Sequence, residues 1–309
     1  MIAQPSADDV ARLVGDRYGE RASTPVLLGA GQWSQAYSFR VDRRELVIRL
    51  GAHREDFAKD ARMGDAGFVD LRVPRVVEIG DTRWGYFAVS ERARGEFLDA
   101  LDGPQMRAVL PRLFALLDAI RGVDLAGTTG YGGWSSDGRG SHSSWPAALL
   151  AINDDRPRIG NWRQELERSS VGTESFTLGY AKLAELVGGL PNHRQLIHGD
   201  LLNHNVLVAG NRITAVLDWG NAMYGDALFE AAWLVYWWPW HPQWAAIDIE
   251  GALRDHWARQ GTPTPDLSRR LLAYQLFIGL DHLAYNASTH RWADLAWNDK
   301  QVRALLSRA

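Results

Sequence analysis

The stretch Leu196 to Gly220, "LIHGDLLNHNVLVAGNRITAVLDWG", sets three polar residues, Asp200, Asn205 and Asp218, into an otherwise apolar run. "QLIH" reads as a short strand and "GDLLNHN" as a tight loop. "VLVAGNRITAVLD" reads as two strands joined at Gly210-Asn211, a pair with the backbone freedom that a hairpin turn needs. Asn205 then stands at the mouth of the first hairpin strand, Asp218 at the end of the second, and Asp200 in the loop just before them. Antiparallel pairing is expected to bring all three together. Two carboxylates and one amide oxygen form a hard-oxygen donor set of the kind magnesium takes, with phosphate oxygens completing its shell.

The order and spacing add to this. Asp200 and Asn205 lie five positions apart, as do the catalytic aspartate and metal-binding asparagine of protein kinases. Asp218-Trp219-Gly220 stands where those enzymes carry Asp-Phe-Gly. On His198-Gly199-Asp200, Asn205, Asp218, and the following Gly225-Asp226 and Glu230-Ala231-Ala232, the chain resembles the aminoglycoside phosphotransferases of the protein-kinase-like fold. The likeness extends to "NRITAVLDWGNAMYGDALFEAA", the "WWPW" at Trp237 to Trp240, and "IGLDHL" at Ile278 to Leu283.

That resemblance implies an α+β, two-lobed fold with a small antiparallel-sheet N-lobe carrying one inserted helix and a larger, mainly helical C-lobe. It places the lobes at residues 1–93 and 94–309. It implies a Mg2+-dependent enzyme that moves the γ-phosphate of ATP, with GTP not excluded, to a hydroxyl of an aminoglycoside or aminocyclitol antibiotic, hygromycin B being the first acceptor to expect. Asp200 would be the catalytic base, and Asn205 and Asp218 the metal ligands. Two other readings stay open: a kinase for a metabolic alcohol such as choline, homoserine or a sugar, and a nucleotide-binding regulatory protein without turnover.

Composition sets outer limits. The 309 residues are 46% hydrophobic and 23% charged, which fits a folded globular chain of two lobes and not a disordered one. A formal net charge of -3 argues against a nucleic-acid partner. There is no cysteine, so disulfides, zinc-thiolate sites and thiol nucleophiles are excluded. The opening "MIAQPSADDVARLV" lacks the basic and apolar regions of a secretory signal, and the apolar "ALFEAAWLVYWWPW" is too short and too acidic for a membrane span. A cytoplasmic protein with no membrane attachment and no obligatory protein partner is expected.

Alternation and turn residues predict strands at Pro25 to Leu28, Gln35 to Val41, Glu45 to Leu50, Val76 to Ile79 and Gly85 to Ser90, with a helix at Asp56 to Ala66. Helical periodicity follows in Gln105 to Ile120, Thr177 to Leu186, Ala227 to Tyr236 and Leu267 to Tyr285. The glycine- and serine-rich Gly127 to Ser144 reads as a long loop. In "LGAGQWSQAYSF", Gly31 and Ser34 are candidates for the nucleotide clamp, since backbone amides of such a turn can approach phosphate.

"ELVIRL" has Arg49 where kinases have lysine, so Arg49 is the expected phosphate-anchoring cation. Its expected partner is Asp60, which "AKDARM" aligns with the family's glutamate. The purine is expected against backbone groups of about Glu91 to Ala93. Between Leu196 and His256 there are seven acids against two arginines, a balance that attracts a cationic acceptor. Asn203, His204, Glu230, Trp238 and Asp281 are the acceptor-contact candidates. Asp226 and Glu230 have an alternative as braces for the catalytic loop, and Asp281 an equal one as a buried, satisfied acid. Helical spacing assigns most of the tryptophans to the core, with Trp238 and Trp240 the ones expected at a pocket rim.

Overall fold

The computed structural model describes residues 5–31, 34–65 and 71–308. Gln32 and Trp33 of the glycine stretch, and Ala66 at the expected end of the inserted helix, lie outside the described residues. In chain order the elements begin α1 (Ala7–Tyr18), β1 (Val26–Ala30), β2 (Ser34–Val41), β3 (Arg44–Gly51), α2 (Arg54–Asp65), β4 (Val76–Thr82), β5 (Gly85–Glu91) and β6 (Glu96–Phe97). They continue with α3 (Gly103–Arg121), β7 (Tyr131–Trp134), β8 (Gly140–His142), α4 (Trp145–Leu150), α5 (Trp162–Arg168) and α6 (Glu174–Val187). Then come β9 (Gln195–Ile197), β10 (Val206–Ala209), β11 (Arg212–Val216), β12 (Met223–Gly225), α7 (Leu228–Trp237), α8 (Ile249–Arg259), α9 (Leu267–Ser288) and α10 (Trp292–Leu306).

By its internal contacts the chain divides into two compact units that interleave in sequence. The first is Met1–Leu101, Ala108–Leu116 and Leu202–Asn221; the second is Asp102–Arg107, Leu117–Leu201 and Ala222–Ala309.

The first unit is built on an antiparallel sheet in the order β1-β2-β3-β5-β4. Alternation dictates which side is covered: Leu46, Ile48 and Leu50 of β3 share a core with Tyr37, Phe39 and Val41 of β2 and with Phe87 and Val89 of β5. Val10 and Val14 of α1 complete that core. Helix α1 starts where Ser6 and Asp9 form a reciprocal capping box, which satisfies two of the amides that a helix start leaves unbonded. Each fully buried aliphatic or aromatic side chain of such a core contributes about 1.5–3 kcal/mol. A second sheet, β11-β10-β6, is the expected hairpin with a two-residue strand added on the open side of β10.

The second unit holds the sheet β8-β7-β12-β9 and the long helix α9, against which α5, α6, α7 and α10 pack. Helix α9 is buried around most of its circumference, as a central helix must be, through residues such as Leu271, Tyr274, Ile278, Leu280 and Leu283. The reading of Gly127 to Ser144 as a loop is corrected here, because β7 and β8 lie inside it and pair with each other, and β7 also pairs with β12. Gly130 and Gly140 let the two backbones meet: a Cβ at Gly130 would stand 2.4 Å from the Gly140 carbonyl oxygen. Among the described residues no helix is long and apolar enough to cross a membrane.

Trp145 illustrates how tightly this unit closes. It is 1% exposed, meets the rings of Phe229 and Tyr274 at 5.9 Å, and lies so close to β12 that a Cβ on Gly225 would be 2.4 Å from its ring. Gly225→Ala is therefore expected to destabilise the protein by about 1–3 kcal/mol, the usual cost of overpacking a filled core. Thermal denaturation checks this; an unchanged Tm would mean that the indole can yield.

Candidate active site

Within the first unit, the segment after the hairpin is fastened to α2. Arg49 on β3 pairs with Oδ2 of Asp60, and Oδ1 of the same carboxylate accepts the Trp219 backbone N–H at 2.8 Å. The two side chains are 20% and 7% exposed, and Arg49 also lies over the Phe57 ring, 5.2 Å from its centroid. Lys59, almost wholly buried, donates Nζ to the Gly220 carbonyl at 2.7 Å. Consecutive residues of α2 thus hold consecutive residues of Asp218-Trp219-Gly220. Nothing local in the sequence marks Lys59 for this role, since its partner lies 161 positions further along the chain.

Asn205 and Asp218 flank the base of the hairpin. The Leu217 N–H donates to the Asn205 carbonyl at 2.7 Å, which closes the loop between them. Asn205 is 7% exposed. Asp218 has φ of 58°, and so does His204, one residue before Asn205. A left-handed conformation at a residue other than glycine is uncommon, and two of them at one hairpin base mark a constrained segment. His204 Nδ1 lies 3.1 Å from Asp99 Oδ2, and its ring meets Phe97 edge-on at 5.0 Å. Asn203 is exposed.

Of the other nucleotide candidates, Gly31 donates its N–H to the Ser34 carbonyl at 2.8 Å, so that amide is committed to the turn between β1 and β2. Glu91 ends β5, its N–H bonded to the Arg75 carbonyl at 3.0 Å, and Ala93 follows beyond the strand.

Within the second unit, His198-Gly199-Asp200 is a sharply turned loop. Gly199 has φ of 77°, and the Asp200 N–H donates to His198 Nδ1 at 3.2 Å. Glu230 on α7 accepts the His198 and Gly199 N–H groups at 2.9 Å each. It is 2% exposed, and burial pushes its carboxyl up to about 7, against the pull of the two N–H donors. Among its two expected jobs this geometry favours the brace, and the acceptor contact proposed for Glu230 is corrected accordingly.

Asp226, just before α7, is 1% exposed. It takes a two-pronged contact from Arg270 at 2.8 and 2.7 Å and the Tyr274 hydroxyl at 2.5 Å, and it accepts the Leu228 N–H at 3.1 Å. Burial works against the Arg270 charge, and the Asp226 carboxylate more than offsets it, so the arginine's pKa is raised. Nothing local in the sequence links Arg270 to an acid 44 positions earlier.

The tryptophan candidates sort differently from expectation. Trp238 is 6% exposed and donates Nε1 to the carbonyls of Trp244 and Ile247, which makes it a core residue and corrects its place at a rim. Trp240 is 44% exposed and stands edge-on to Trp237 and Trp297, which stack 5.3 Å apart. Asp281 pairs with Arg156; burial alone would raise its pKa, and the guanidinium holds it below the usual range.

A phosphotransferase enzyme family model matches residues 26–261. The chain belongs to that family. It is 30% identical over 305 residues to the hygromycin-B 4-O-kinase of Escherichia coli, covering 97% of this chain and 85% of the relative. The crystal structure of aminoglycoside phosphotransferase APH(4)-Ia superposes with a TM-score of 0.85 at 31% identity, over 98% of this chain and 99% of that one. A thermostable mutant of APH(4)-Ia in ternary complex with AMP-PNP and hygromycin B gives 0.84 at 32% identity, over 96% and 98%. The GDP complex of aminoglycoside 2'-phosphotransferase-IIIa, at 14% identity and a TM-score of 0.65 over 98% of this chain and 99% of that one, shares the fold alone. The fold of this phosphotransferase is the protein-kinase-like one that the sequence implied, with an antiparallel-sheet N-lobe and a mainly helical C-lobe.

Proposed function

We propose that this phosphotransferase moves the γ-phosphoryl group of Mg-ATP to a hydroxyl of hygromycin B and thereby confers resistance to it. The observation that carries the acceptor is the 30% identity to a hygromycin-B 4-O-kinase along nearly the whole chain. Asp200 orients the acceptor hydroxyl and takes its proton as the oxygen attacks the γ-phosphorus; the bond to the bridging oxygen breaks and ADP leaves. Asn205 and Asp218 are the residues that would hold magnesium. Their donor set fits: a carboxylate and an amide both offer the hard oxygens that magnesium takes, with phosphate oxygens left to complete its shell. The ion, when bound, neutralises charge developing on the phosphates.

Arg49 is the residue proposed to anchor the nucleotide phosphates, oriented by Asp60. A charge-assisted hydrogen bond of this kind contributes about 1.5–3 kcal/mol, so Arg49→Ala is expected to weaken nucleotide binding roughly ten- to a hundredfold. Arg49→Lys should retain measurable turnover. Titration calorimetry with a non-hydrolysable ATP analogue checks the first and steady-state transfer from ATP the second, and parent-like affinity in Arg49→Ala would remove Arg49 from the clamp.

Steady-state transfer from Mg-ATP and Mg-GTP to hygromycin B, other aminoglycosides, choline and simple sugars tests the acceptor. Turnover confined to hygromycin B supports the proposal. Turnover on choline or a sugar instead would make this a metabolic kinase.

A further inference from the structure

The left-handed backbone at His204 has a holder. At φ of 58° a histidine pays a steric cost that glycine does not, and such strain persists only where the surroundings over-determine it. Two contacts do so: the imidazole Nδ1 lies 3.1 Å from Asp99 Oδ2, and the Phe97 ring meets the imidazole edge-on. The Asp99 side chain is only 10% exposed and therefore set in place, whereas that of His204 is 70% exposed and is not held by burial. Phe97 belongs to β6, whose pairing with β10 carries Asp99 alongside the loop that leads into that strand. The next residue is Asn205, buried, with its carbonyl tied to Leu217 one position before Asp218.

We infer that Asp99 and His204 form a backbone latch that fixes the approach to Asn205 and so sets the position of its side-chain oxygen relative to Asp218. His204 is then a positioning residue and not the acceptor contact that the sequence leads one to expect. Without the latch, the backbone at His204 relaxes toward the ordinary φ < 0 regions, the chain turns differently into β10, and the two proposed metal ligands lose their register. The inference rests on the proposed metal role of Asn205 and Asp218.

The latch makes a prediction that an acceptor contact does not. Asp99→Ala leaves a histidine in a strained conformation with only the Phe97 ring against it, whereas His204→Gly removes the strain together with the side chain. Mn2+ binding to the full-length protein with a non-hydrolysable ATP analogue, read by electron paramagnetic resonance, reports the metal site directly. Asp99→Ala is expected to weaken Mn2+ binding about tenfold, the range of a lost positioning partner at a metal site. Asp99→Ala combined with His204→Gly should recover most of that loss, with the acceptor KM near the parent value in all variants. Parent-like Mn2+ affinity in Asp99→Ala, or no recovery in the double variant, would overturn the latch. So would an acceptor KM that rises in His204→Gly while Mn2+ affinity holds, since that would return His204 to the acceptor. A parent protein that takes up no Mn2+ with nucleotide would instead bring down the metal assignment itself, and the latch with it.

Discussion

Asp200→Ala is expected to lower kcat for phosphoryl transfer by about 10²–10⁴-fold, the usual contribution of a positioned general base, while nucleotide affinity stays near that of the parent. The reason for separating the two lies in how the loop is held. Its path is set by backbone N–H groups: those of His198 and Gly199 on the buried Glu230 carboxylate, and that of Asp200 on His198 Nδ1. Alanine retains each of these backbone N–H groups and their acceptors, so the turn should stay in place when the group that receives the proton is removed. Asp200→Asn, which keeps size and one acceptor oxygen, is expected to be almost as inactive. Single-turnover kinetics with saturating ATP and hygromycin B, beside calorimetric nucleotide binding, provides the measurement. Near-normal turnover in Asp200→Ala would dismiss it as the base; loss of nucleotide binding together with turnover would make its role structural.

The second large effect is on stability. Asp226→Ala is expected to cost about 3–5 kcal/mol, because it leaves the Arg270 guanidinium buried without its counter-charge. Arg270 is 4% exposed and Tyr274 is fully buried, so water cannot easily replace the lost carboxylate. For a domain whose total stability is about 5–15 kcal/mol, this is a large share, and the fall in Tm should be on the order of 10 °C. Asp226 also accepts the Leu228 N–H at the start of α7, the helix that carries Glu230 to the catalytic loop. Loss of activity should therefore accompany loss of stability in this variant. Asp226→Leu combined with Arg270→Met should be less destabilised than either single change, since no unpaired charge remains. Additive losses in denaturant unfolding would show that the pair is not coupled as its geometry implies.

What the sequence made legible follows from range. Strand β3 alternates cleanly because one face meets the apolar core, whereas β2 and β5 each bury three consecutive residues, and the turn between β2 and β3 is marked by Asp42-Arg43. Helices α3, α6, α7 and α9 carry their own periodicity. The hairpin of β10 and β11 is announced by Gly210-Asn211. The parts that were not legible depend on partners far along the chain. Strands β7 and β8 are hidden in a glycine-rich run that reads as a loop until β12 supplies an edge some ninety residues later. The two residues of β6 have no pattern at all and become a strand only against β10. The sequence marks Glu230 and Asp226 as acids on a helix start, but the amides of His198 and Gly199, and the guanidinium of Arg270, are what give each its work. Trp238 and Trp240, two positions apart, differ in exposure because a single 3-10 turn points one indole at the carbonyls of Trp244 and Ile247 and leaves the other to water.

The interleaving of the two units bears on how this protein comes into being on the ribosome. By the time residue 101 has emerged, the nascent chain holds β1 to β6 and α2, but not the strand that β6 must pair with, nor the Trp219 N–H and Gly220 carbonyl that Asp60 and Lys59 grip in the finished molecule. A buried lysine and a buried aspartate wait through the synthesis of more than one hundred further residues before their partners arrive. The first unit is therefore incomplete while only residues 1–101 are present. Its completion is a late, long-range event of the kind that slows folding, and it falls only once the segment ending at Asn221 has left the exit tunnel.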